Sequence, residues 1–292
     1  MPATYTPLRY PGGKSKLGNF LASVMRANRL VDAGYAEPYA GGAGAGLHLL
    51  FRGYATSLRL NDIDRGVTAF WKAVLDRNEA FAKAIERVPL TVAEWDRQKD
   101  TLRTARSGFD LGFAFFYLNR TNRSGIMNAG VIGGRTQQGP WGIDARFNKE
   151  ELATRVRALA PFRRHITVTS LDALDFLAEL STLKERLLTY LDPPYYEKGQ
   201  KLYTNFYNPE DHAAIALYLR SYRQPWVMTY DACEDIRALY QTRRIADSEL
   251  SYSARDVRRG REVVIFGPGV RAPTASDDPR RVPRHRAGFE LV

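Results

Sequence analysis

The stretch Leu187-Leu188-Thr189-Tyr190-Leu191-Asp192-Pro193-Pro194-Tyr195-Tyr196 decides the fold. Its first half is an apolar run, which is typical of a parallel strand buried on both faces. Ligands of open α/β sheets bind beyond the carboxyl ends of such strands, so Asp192 to Tyr196 are predicted to lie at the mouth of a site. The prolines fix the backbone and remove amide donors, which leaves a stiff turn with free carbonyls. A carboxylate, a rigid carbonyl and a flat ring can together hold an amine-bearing base. The alternative is a strand-ending turn with an ordinary exposed aspartate.

The composition is that of a globular protein with a large positive charge. The chain has 292 residues, with 43 Lys and Arg against 32 Asp and Glu, for a formal net charge of +11. A surplus of this size favours a polyanionic partner, nucleic acid first, over a protein that is merely basic.

Neither a metal centre nor a membrane span is expected. The single cysteine, Cys233, excludes an intramolecular disulfide and a cysteine-cluster metal site, and the four histidines lack helical ligand spacing. No apolar run reaches about 18 residues, and the N-terminus has no signal-peptide core. We therefore expect no metal, no membrane association and a cytoplasmic location.

Two loops near the N-terminus have the pattern of a nucleotide-cofactor site. A short strand ends near Glu37 and is followed by a glycine loop, residues 38–46, and a helix. Glycine is needed where backbone passes close to a ligand and where a helix packs on a strand. A second strand, Leu58 to Leu60, is followed by Asp62 and Asp64, either of which is a candidate for binding ribose hydroxyls. Together these features predict an adenosine-containing cofactor.

The following segment predicts several helices and one long polar loop. Apolar residues recur at intervals of three and four from Val67 to Arg106, and Phe109 to Leu118 is a further apolar helix. Residues 119–142 are rich in Gly, Asn and Arg, which suits a hairpin that carries hydrogen-bonding side chains into a groove. Arg and Asn have the bidentate geometry that suits guanine and adenine edges, and Ile126 is a candidate wedge between base steps. A solvent-exposed hairpin without a ligand is the alternative.

Strands and helices alternate through the second half of the chain, which indicates a largely parallel sheet. The strands predicted there are 165–169, 187–191, 225–230 and 262–266. The expected fold is α/β: a doubly wound, mostly parallel Rossmann-like sheet with an inserted helical domain. The chain after Gly267 has little apolar content, and we expect residues 268–292 to form a flexible basic tail.

Three blocks of the sequence together resemble one enzyme family. They are Tyr10-Pro11-Gly12-Gly13-Lys14, Glu37-Pro38-Tyr39-Ala40-Gly41-Gly42 and Asp192-Pro193-Pro194-Tyr195. In this order, with Asn61-Asp62 before the last block, they are similar to Dam-type (D12 class, α group) DNA adenine-N6 methyltransferases. The resemblance implies a catalytic domain of residues 1–64 and 165–267. It also implies that residues 65–164 form an inserted target-recognition domain.

By this resemblance, the chain is a site-specific methyltransferase that acts on the N6 amine of a flipped adenine in double-stranded DNA, with S-adenosylmethionine as cofactor. The implied catalytic residues are Asp192, Pro193, Pro194 and Tyr195. The implied cofactor-binding residues are Tyr10, Lys14, Glu37, Tyr39, Gly41, Gly42, Asp62 and Asp192. Ala43 departs from the family because its loop position is often Gly. We expect a monomer, and a cognate restriction endonuclease is a candidate partner.

The DNA-reading hairpin of the family begins with a phrase that Phe116-Tyr117-Leu118-Asn119-Arg120 matches. The implied DNA-binding residues are Asn119, Arg120, Asn122, Arg123, Ser124, Ile126, Asn128 and Arg135. Three of these, Arg123, Ser124 and Asn128, replace residues that GATC-specific members use for intercalation and base reading. The resemblance therefore does not imply GATC specificity.

Three other functions remain open on the residues alone. Methylation of cytosine N4 is disfavoured because such enzymes usually carry Ser in place of Asp192, and methylation of adenine in RNA is a further enzyme alternative. A catalytically silent DNA-binding subunit is disfavoured because Asp192, Tyr195, Lys14 and Asp62 are all present.

Overall fold

The computed structural model describes residues 5–9, 15–196, 207–248 and 262–278. Seven strands in these ranges are β1 Ala33–Glu37, β2 Ala55–Asn61, β3 Ile166–Thr169, β4 Leu187–Leu191, β5 Trp226–Asp231, β6 Arg244–Ser248 and β7 Glu262–Phe266. The α-helices there are α1 Ser15–Ala27, α2 Gly44–Phe51, α3 Arg65–Asp76, α4 Asn78–Arg87, α5 Val92–Thr104, α6 Gly108–Thr121, α7 Lys149–Arg157, α8 Ala173–Ser181, α9 Pro209–Tyr218 and α10 Glu234–Leu239. Short 3-10 helices span Arg123–Gly125, Ile143–Arg146, Ala160–His165 and Ala275–Asp277.

The strands form one sheet in the order β3-β2-β1-β4-β5-β7-β6. The five strands from β3 to β5 are parallel, and β7 is antiparallel to both of its neighbours. The prediction of a doubly wound, mostly parallel sheet is confirmed. The chain moves outward through β2 and β3 on one side of β1 and through β4 and β5 on the other. Ligands of open α/β sheets bind in the crevice at such a switch point, here between β1 and β4.

Strand β4 is buried along its whole length, as its apolar run predicted. Leu188 and Tyr190 belong to the hydrophobic cluster on one face of the sheet, and Leu187 and Leu191 belong to the cluster on the other face. Successive side chains of a strand point to opposite faces, so this division follows from the period of two. The remaining side chain, Thr189, lies with its hydroxyl 2.7 Å from that of Tyr222.

The inserted helices, α3 to α7, share the core of the sheet. Phe70 of α3 lies in the same buried cluster as Leu58 of β2. Phe70 also stacks on Phe116 of α6, with 5.8 Å between the ring centroids. The backbones of α3 and α6 come close at Gly112, where an added Cβ would lie 2.6 Å from the carbonyl oxygen of Ala69. The insertion is therefore fixed to the sheet through α3.

The prediction of a tail from residue 268 is wrong for its first part. The Arg271 amide donates a hydrogen bond to Asn28 Oδ1 at 2.7 Å, and Asn28 Nδ2 donates to the Arg271 carbonyl at 2.8 Å. Val270 is buried in the cluster that contains α1. Composition missed this segment because one asparagine side chain, rather than an apolar run, satisfies its backbone. Residues 279–292 lie outside the described part of the chain.

Strand β6 was not predicted from the sequence. Its residues, Arg-Ile-Ala-Asp-Ser, form the edge strand of the described sheet and pair there with β7. No helix within the described ranges combines the length and the apolar character that a membrane crossing requires.

Candidate active site

Asp192 follows β4 directly and lies at the switch point of the sheet. The hydroxyl of Thr229, on the adjacent strand β5, donates a hydrogen bond to Asp192 Oδ1 at 2.9 Å. The Thr229 hydroxyl also lies 2.6 Å from the buried Tyr190 hydroxyl. Because a hydroxyl carries one hydrogen, Tyr190 is the donor in this second bond. The two bonds fix the rotation of a half-buried carboxylate at the mouth of the crevice.

The residues after Asp192 are held by the next two strands of the sheet. The Tyr195 hydroxyl donates to Glu262 Oε1 at 2.8 Å, at the start of β7. The Tyr196 amide donates to Asp231 Oδ1 at 3.0 Å, at the end of β5. Pro193 is buried, whereas Tyr195 is half-buried at the edge of the sheet. The turn is therefore fixed by its prolines and by bonds to β5 and β7.

A buried histidine, His212, lies behind the turn in a cluster of tyrosines. Its ring centroid is 4.9 Å from that of Tyr196 and 5.4 Å from that of Tyr207, and its Nδ1 is 2.6 Å from the Tyr230 hydroxyl. Burial lowers the pKa of His212, so the ring is neutral at physiological pH. Tyr196 and Tyr207 flank residues 197–206, which lie outside the described ranges.

The glycine loop after β1, residues 38–46, is anchored by Glu37. Its Oε1 accepts hydrogen bonds from the Tyr35 hydroxyl at 2.9 Å and from the Gly46 amide at 3.0 Å. A buried carboxylate is costly unless it is hydrogen-bonded, and these donors come from β1 itself and from the first turn of α2. Glu37 therefore joins the end of the strand to the start of the helix across the glycine loop.

The centre of that loop, Gly41, is held through both of its backbone polar groups. Its amide donates to Asp62 Oδ2 at 2.9 Å, and its carbonyl accepts from Trp71 Nε1 at 2.8 Å. Gly41 and Ala43 both have left-handed backbones, with φ of 45° and 46°. The turn thus forms with alanine at the position that is often glycine, although this conformation costs an L-residue about 1–2 kcal/mol.

Asn61 is a residue of the site to which sequence reasoning assigned no role. Its Nδ2 donates to the carbonyls of Pro38 and Leu171 at 3.1 and 3.0 Å. Its Oδ1 accepts from the Leu171 amide and from the Thr169 hydroxyl, each at 2.8 Å. One buried amide therefore ties together the loops after β1, β2 and β3. The available signal was its place, directly before Asp62 at the end of an apolar strand.

Tyr39 connects the glycine loop to the segment before α9. Its hydroxyl lies 3.0 Å from that of Tyr207, and the two rings meet edge to face at 5.9 Å. Burial raises the pKa of Tyr39 well above its ordinary value and raises the pKa of Tyr207 to about 12. Both phenols are therefore neutral and available for hydrogen bonding at physiological pH.

The sheet thus brings most of the predicted catalytic and cofactor-binding residues to one edge. Those in the described ranges are Glu37, Tyr39, Gly41, Gly42, Asp62, Asp192, Pro193, Pro194 and Tyr195. Tyr10 and Lys14 lie outside the described residues. In the described part of the chain, no group of three or more His, Cys, Asp or Glu side chains is arranged to hold a metal ion.

The predicted DNA-binding segment begins within a helix and is closed by an antiparallel bridge between Asn122 and Val131. Helix α6 extends to Thr121, so Asn119 and Arg120 form its last turn. Asn119 is 2% exposed, and its side chain bonds to the Arg9 amide and carbonyl at 2.6 and 2.8 Å and to the Gly125 carbonyl at 3.3 Å. Asn122 is 0% exposed and is likewise used by the fold, with Oδ1 2.7 Å from Trp95 Nε1. In this structure both amides bond within the chain.

Two arginines of the insertion hold the segment before Arg9. Arg120 Nε donates to the Pro7 carbonyl at 2.7 Å, and Arg155 Nη1 donates to the Thr6 carbonyl at 3.1 Å. Burial, together with the charges of Arg155 and Arg9, lowers the pKa of Arg120 to about 10. Arg120 therefore also serves the fold, and residues 6–9 are bound to the insertion through their backbone.

Four other predicted DNA-binding residues lie nearer to solvent. Arg123, Ser124 and Asn128 are exposed, and Ile126 is half-buried. The loop turns sharply at Ser124, which has a φ of 56°. Arg123 to Asn128 therefore form a compact loop whose exposed side chains point away from the core.

Arg135, the last predicted DNA-binding residue, makes two bonds to Asp96, of 2.9 and 2.7 Å. A residue that the sequence did not single out, Trp141, is 69% exposed in the same segment. The signal for Trp141 was its place between Pro140 and Gly142, where an apolar ring has few neighbours to cover it.

The comparison with protein families decides the identity. The model of the D12 class N6 adenine-specific DNA methyltransferases matches residues 10–254, which include all three sequence blocks. The chain belongs to this family. The prediction of an adenine-specific DNA methyltransferase is thereby confirmed, and the cytosine, RNA and silent-subunit alternatives are not favoured. DNA is the substrate of the family.

A solved structure similar to this D12 methyltransferase is the rRNA methyltransferase AviRa from Streptomyces viridochromogenes. The two share 13% sequence identity over 90% of this chain and 87% of that chain, with a TM-score of 0.35. No curated protein sequence matched the chain.

Proposed function

We propose that this D12 methyltransferase transfers the methyl group of S-adenosylmethionine to the N6 amine of an adenine flipped out of double-stranded DNA. The observation that carries the proposal is the fixed carboxylate of Asp192. It stands at the switch point of the sheet, beside the glycine loop and before a turn of two prolines and a tyrosine.

The residues of the first loop fit such a cofactor. Gly41 and Gly42 are buried and bring backbone close to the switch point, where a side chain would occupy space. Asp62 lies at the end of β2, the place from which an acid binds ribose hydroxyls. Glu37 and Tyr39 complete this side, and Tyr10 and Lys14 are the further proposed contacts. When bound, S-adenosylmethionine supplies a methyl group on a sulfonium, which needs no activation.

The chain itself supplies position and electrostatic stabilisation. An amine in duplex DNA is hidden, so the base must leave the stack at a cost of a few kcal/mol. Tyr195 stacks on the flipped adenine, while the Asp192 carboxylate and the Pro193 carbonyl accept hydrogen bonds from the amine. These acceptors orient the nitrogen and stabilise the positive charge that develops on it. The released proton passes to solvent.

The insertion is proposed to read DNA sequence through its exposed loop. Arg123, Ser124 and Asn128 are the proposed reading side chains, with Ile126 as a wedge and Trp141 as an added contact. Asn119, Asn122 and Arg120 are proposed to shape this loop and its base from within. A monomeric state and a cognate restriction endonuclease stay predictions.

Expression in a methylation-free host, followed by single-molecule sequencing and mass spectrometry of nucleosides, tests the proposal. N6-methyladenine at one short sequence is expected with the native chain, and none is expected with Asp192→Ala. Calorimetry should still detect DNA binding by that variant. Methylation at the native level by Asp192→Ala, or a product other than N6-methyladenine, would refute the proposed chemistry. Absence of heat on titration with S-adenosylmethionine would refute the proposed cofactor.

The loop assignment has its own test. Removal of the Arg123 charge by Arg123→Ala should make the negative slope of log K against log salt shallower by about one unit if Arg123 contacts a phosphate. If neither the slope nor the sequence preference changes, Arg123 does not contact the DNA.

A further inference from the structure

The Tyr195 hydroxyl makes a hydrogen bond that the methyl transfer described above does not use, since that reaction needs only the face of the ring. Tyr195 donates its hydroxyl to Glu262 Oε1 at 2.8 Å, across 67 positions of the chain. The acceptor is a carboxylate that is only 8% exposed. A hydrogen bond to an ionised carboxylate is shorter and roughly twice as strong as a bond between neutral groups.

Glu262 is itself fixed by the sheet. It is the first residue of β7 and pairs with Asp231 of β5 on one side and with Ser248 of β6 on the other. Asp231 in turn accepts the Tyr196 amide at 3.0 Å. The backbone after Tyr195 and the tip of the Tyr195 ring are therefore held by two paired residues on adjacent strands.

A tyrosine attached to a turn can still rotate about its side-chain bonds unless its hydroxyl is held. The bond to Glu262 fixes the tip of the ring relative to β7. Because a phenolic O–H lies in the plane of its ring, the direction of this bond also favours one orientation of that plane. A flat base that stacks on the ring gains most when the two planes are already aligned, since the cost of ordering has been met before binding.

We propose that Glu262 is a positioning residue that holds the Tyr195 ring in place for the flipped adenine. The inference rests on the proposed function, in which Tyr195 stacks on the target base. Glu262 acts through Tyr195 and does not contact the substrate.

The test is a double-mutant cycle with Tyr195→Phe and Glu262→Ala. The rate is measured by single-turnover methylation of an unmethylated oligonucleotide that contains the sequence at which the native chain methylates adenine. Each single variant loses the same bond, so each should slow the methyl-transfer step by about 10- to 100-fold. The double variant should be no slower than the slower single variant, because the bond can be lost only once. Glu262→Gln keeps an acceptor oxygen and should recover most of the rate.

Two further measurements separate positioning from a general structural role. The KM for DNA and the affinity for S-adenosylmethionine should change less than about twofold in Tyr195→Phe. With 2-aminopurine at the target position, the flipped base should fluoresce more strongly in Tyr195→Phe because it is less well stacked. Tyr222→Phe is the matched control, since it also loses a buried bond to a hydroxyl, that of Thr189, on β4 away from the turn. It should methylate at the native rate.

A native rate in Tyr195→Phe, or additive losses in the double variant, would overturn the inference. If Glu262→Ala does not fold, the rate of Tyr195→Phe and its 2-aminopurine signal still decide. Failure of the proposed function is distinguishable, because the native chain would then itself produce no N6-methyladenine.

Discussion

The Thr229 hydroxyl donates a 2.9 Å hydrogen bond to the Asp192 carboxylate, and the Tyr190 hydroxyl stands 2.6 Å behind it. Thr229 on β5 thus orients Asp192 at the end of β4, and the buried Tyr190 hydroxyl in turn donates to Thr229. The carboxylate reaches the crevice already turned, rather than free to rotate in solvent. Such preorganisation is the main contribution an enzyme can make when the methyl donor is already reactive.

Thr229→Val should slow methyl transfer by about 10- to 100-fold, because it removes a hydrogen bond to a charged group without changing the shape of the side chain. Single-turnover kinetics with a saturating cofactor would measure this. Thr189→Val is the control: it removes a similar buried bond, to Tyr222, from the middle of β4. Its expected effect is a loss of stability of about 1–2 kcal/mol with a native rate. Equal rates in the two variants would show that Thr229 does not orient Asp192.

Trp71→Phe should weaken cofactor binding while leaving DNA binding intact. The variant removes the indole donor that holds the Gly41 carbonyl at 2.8 Å, so Gly41 keeps only its amide bond to Asp62 of the two side-chain bonds described above. We expect the dissociation constant for S-adenosylmethionine to rise about 5- to 10-fold, as for the loss of one neutral hydrogen bond. Isothermal titration calorimetry measures both affinities.

Trp95→Phe is the counterpart in the insertion. It removes an indole donor to Asn122 Oδ1, at 2.7 Å, behind the exposed loop. This variant should weaken DNA binding and leave cofactor affinity at its native value. If both tryptophan variants lower both affinities equally, the bonds support the fold as a whole rather than two separate loops.

Gly112→Ala should destabilise the protein by at least about 1–3 kcal/mol, as overpacking of a core usually does. The added methyl carbon would lie 2.6 Å from the Ala69 carbonyl oxygen, a backbone atom that cannot move aside without shifting α3. Gly139→Ala places the same methyl in open space and should change stability by less than about 0.5 kcal/mol. Urea unfolding compares the two. A stable Gly112→Ala would mean that α3 and α6 are not in backbone contact.

Because His48 is buried in its neutral form, the free energy of unfolding is expected to fall in mild acid. Burial, with the charge of Arg52, lowers the pKa of this 8% exposed side chain from 6.5 to about 4. Between these values the unfolded chain binds a proton that the folded chain does not, so the free energy of unfolding falls as the pH falls from 6.5 to about 4. The full loss from this group is about 3 kcal/mol.

The measurement is urea unfolding at pH 7 and pH 5 for the native chain and for His48→Gln. The native chain should lose more stability than the variant over this interval, since His212, which has the same sign of shift, is present in both. Equal losses in the two proteins would show that His48 is not buried in its neutral form.

The parts of the fold with a repeating apolar pattern were predictable. β4 was evident because both of its faces are buried, and the acid after it was placed by the rule that sites lie at the carboxyl ends of parallel strands. β6 was missed because an edge strand needs no apolar run. Its place in the sheet depends on β7, which no local pattern in residues 244–248 records.

The roles of the two buried asparagines could not be read from their identity. Asn119 and Asn122 were predicted to bind DNA because an amide suits adenine, but the same amide suits a backbone that lacks partners. A signal was available in the helix period: Gly112, Phe116 and Asn119 lie on one face of α6, and that face is buried. Which acceptor an asparagine meets depends on segments far away, such as Arg9, which is 110 positions earlier.

The binding of residues 6–9 to the insertion sets a boundary for protein engineering. If the insertion reads the DNA sequence as proposed, its exchange between family members is a route to a new target sequence, and the sequence predicts residues 65–164 as the exchangeable unit. Asn119, Arg120 and Arg155, however, hold the backbone that leads directly into the Tyr10–Lys14 block. A chimera cut at the sequence boundaries would keep this N-terminal segment but lose the side chains that bind it. A working graft has to carry residues 6–9 and the insertion together, as one module in two pieces.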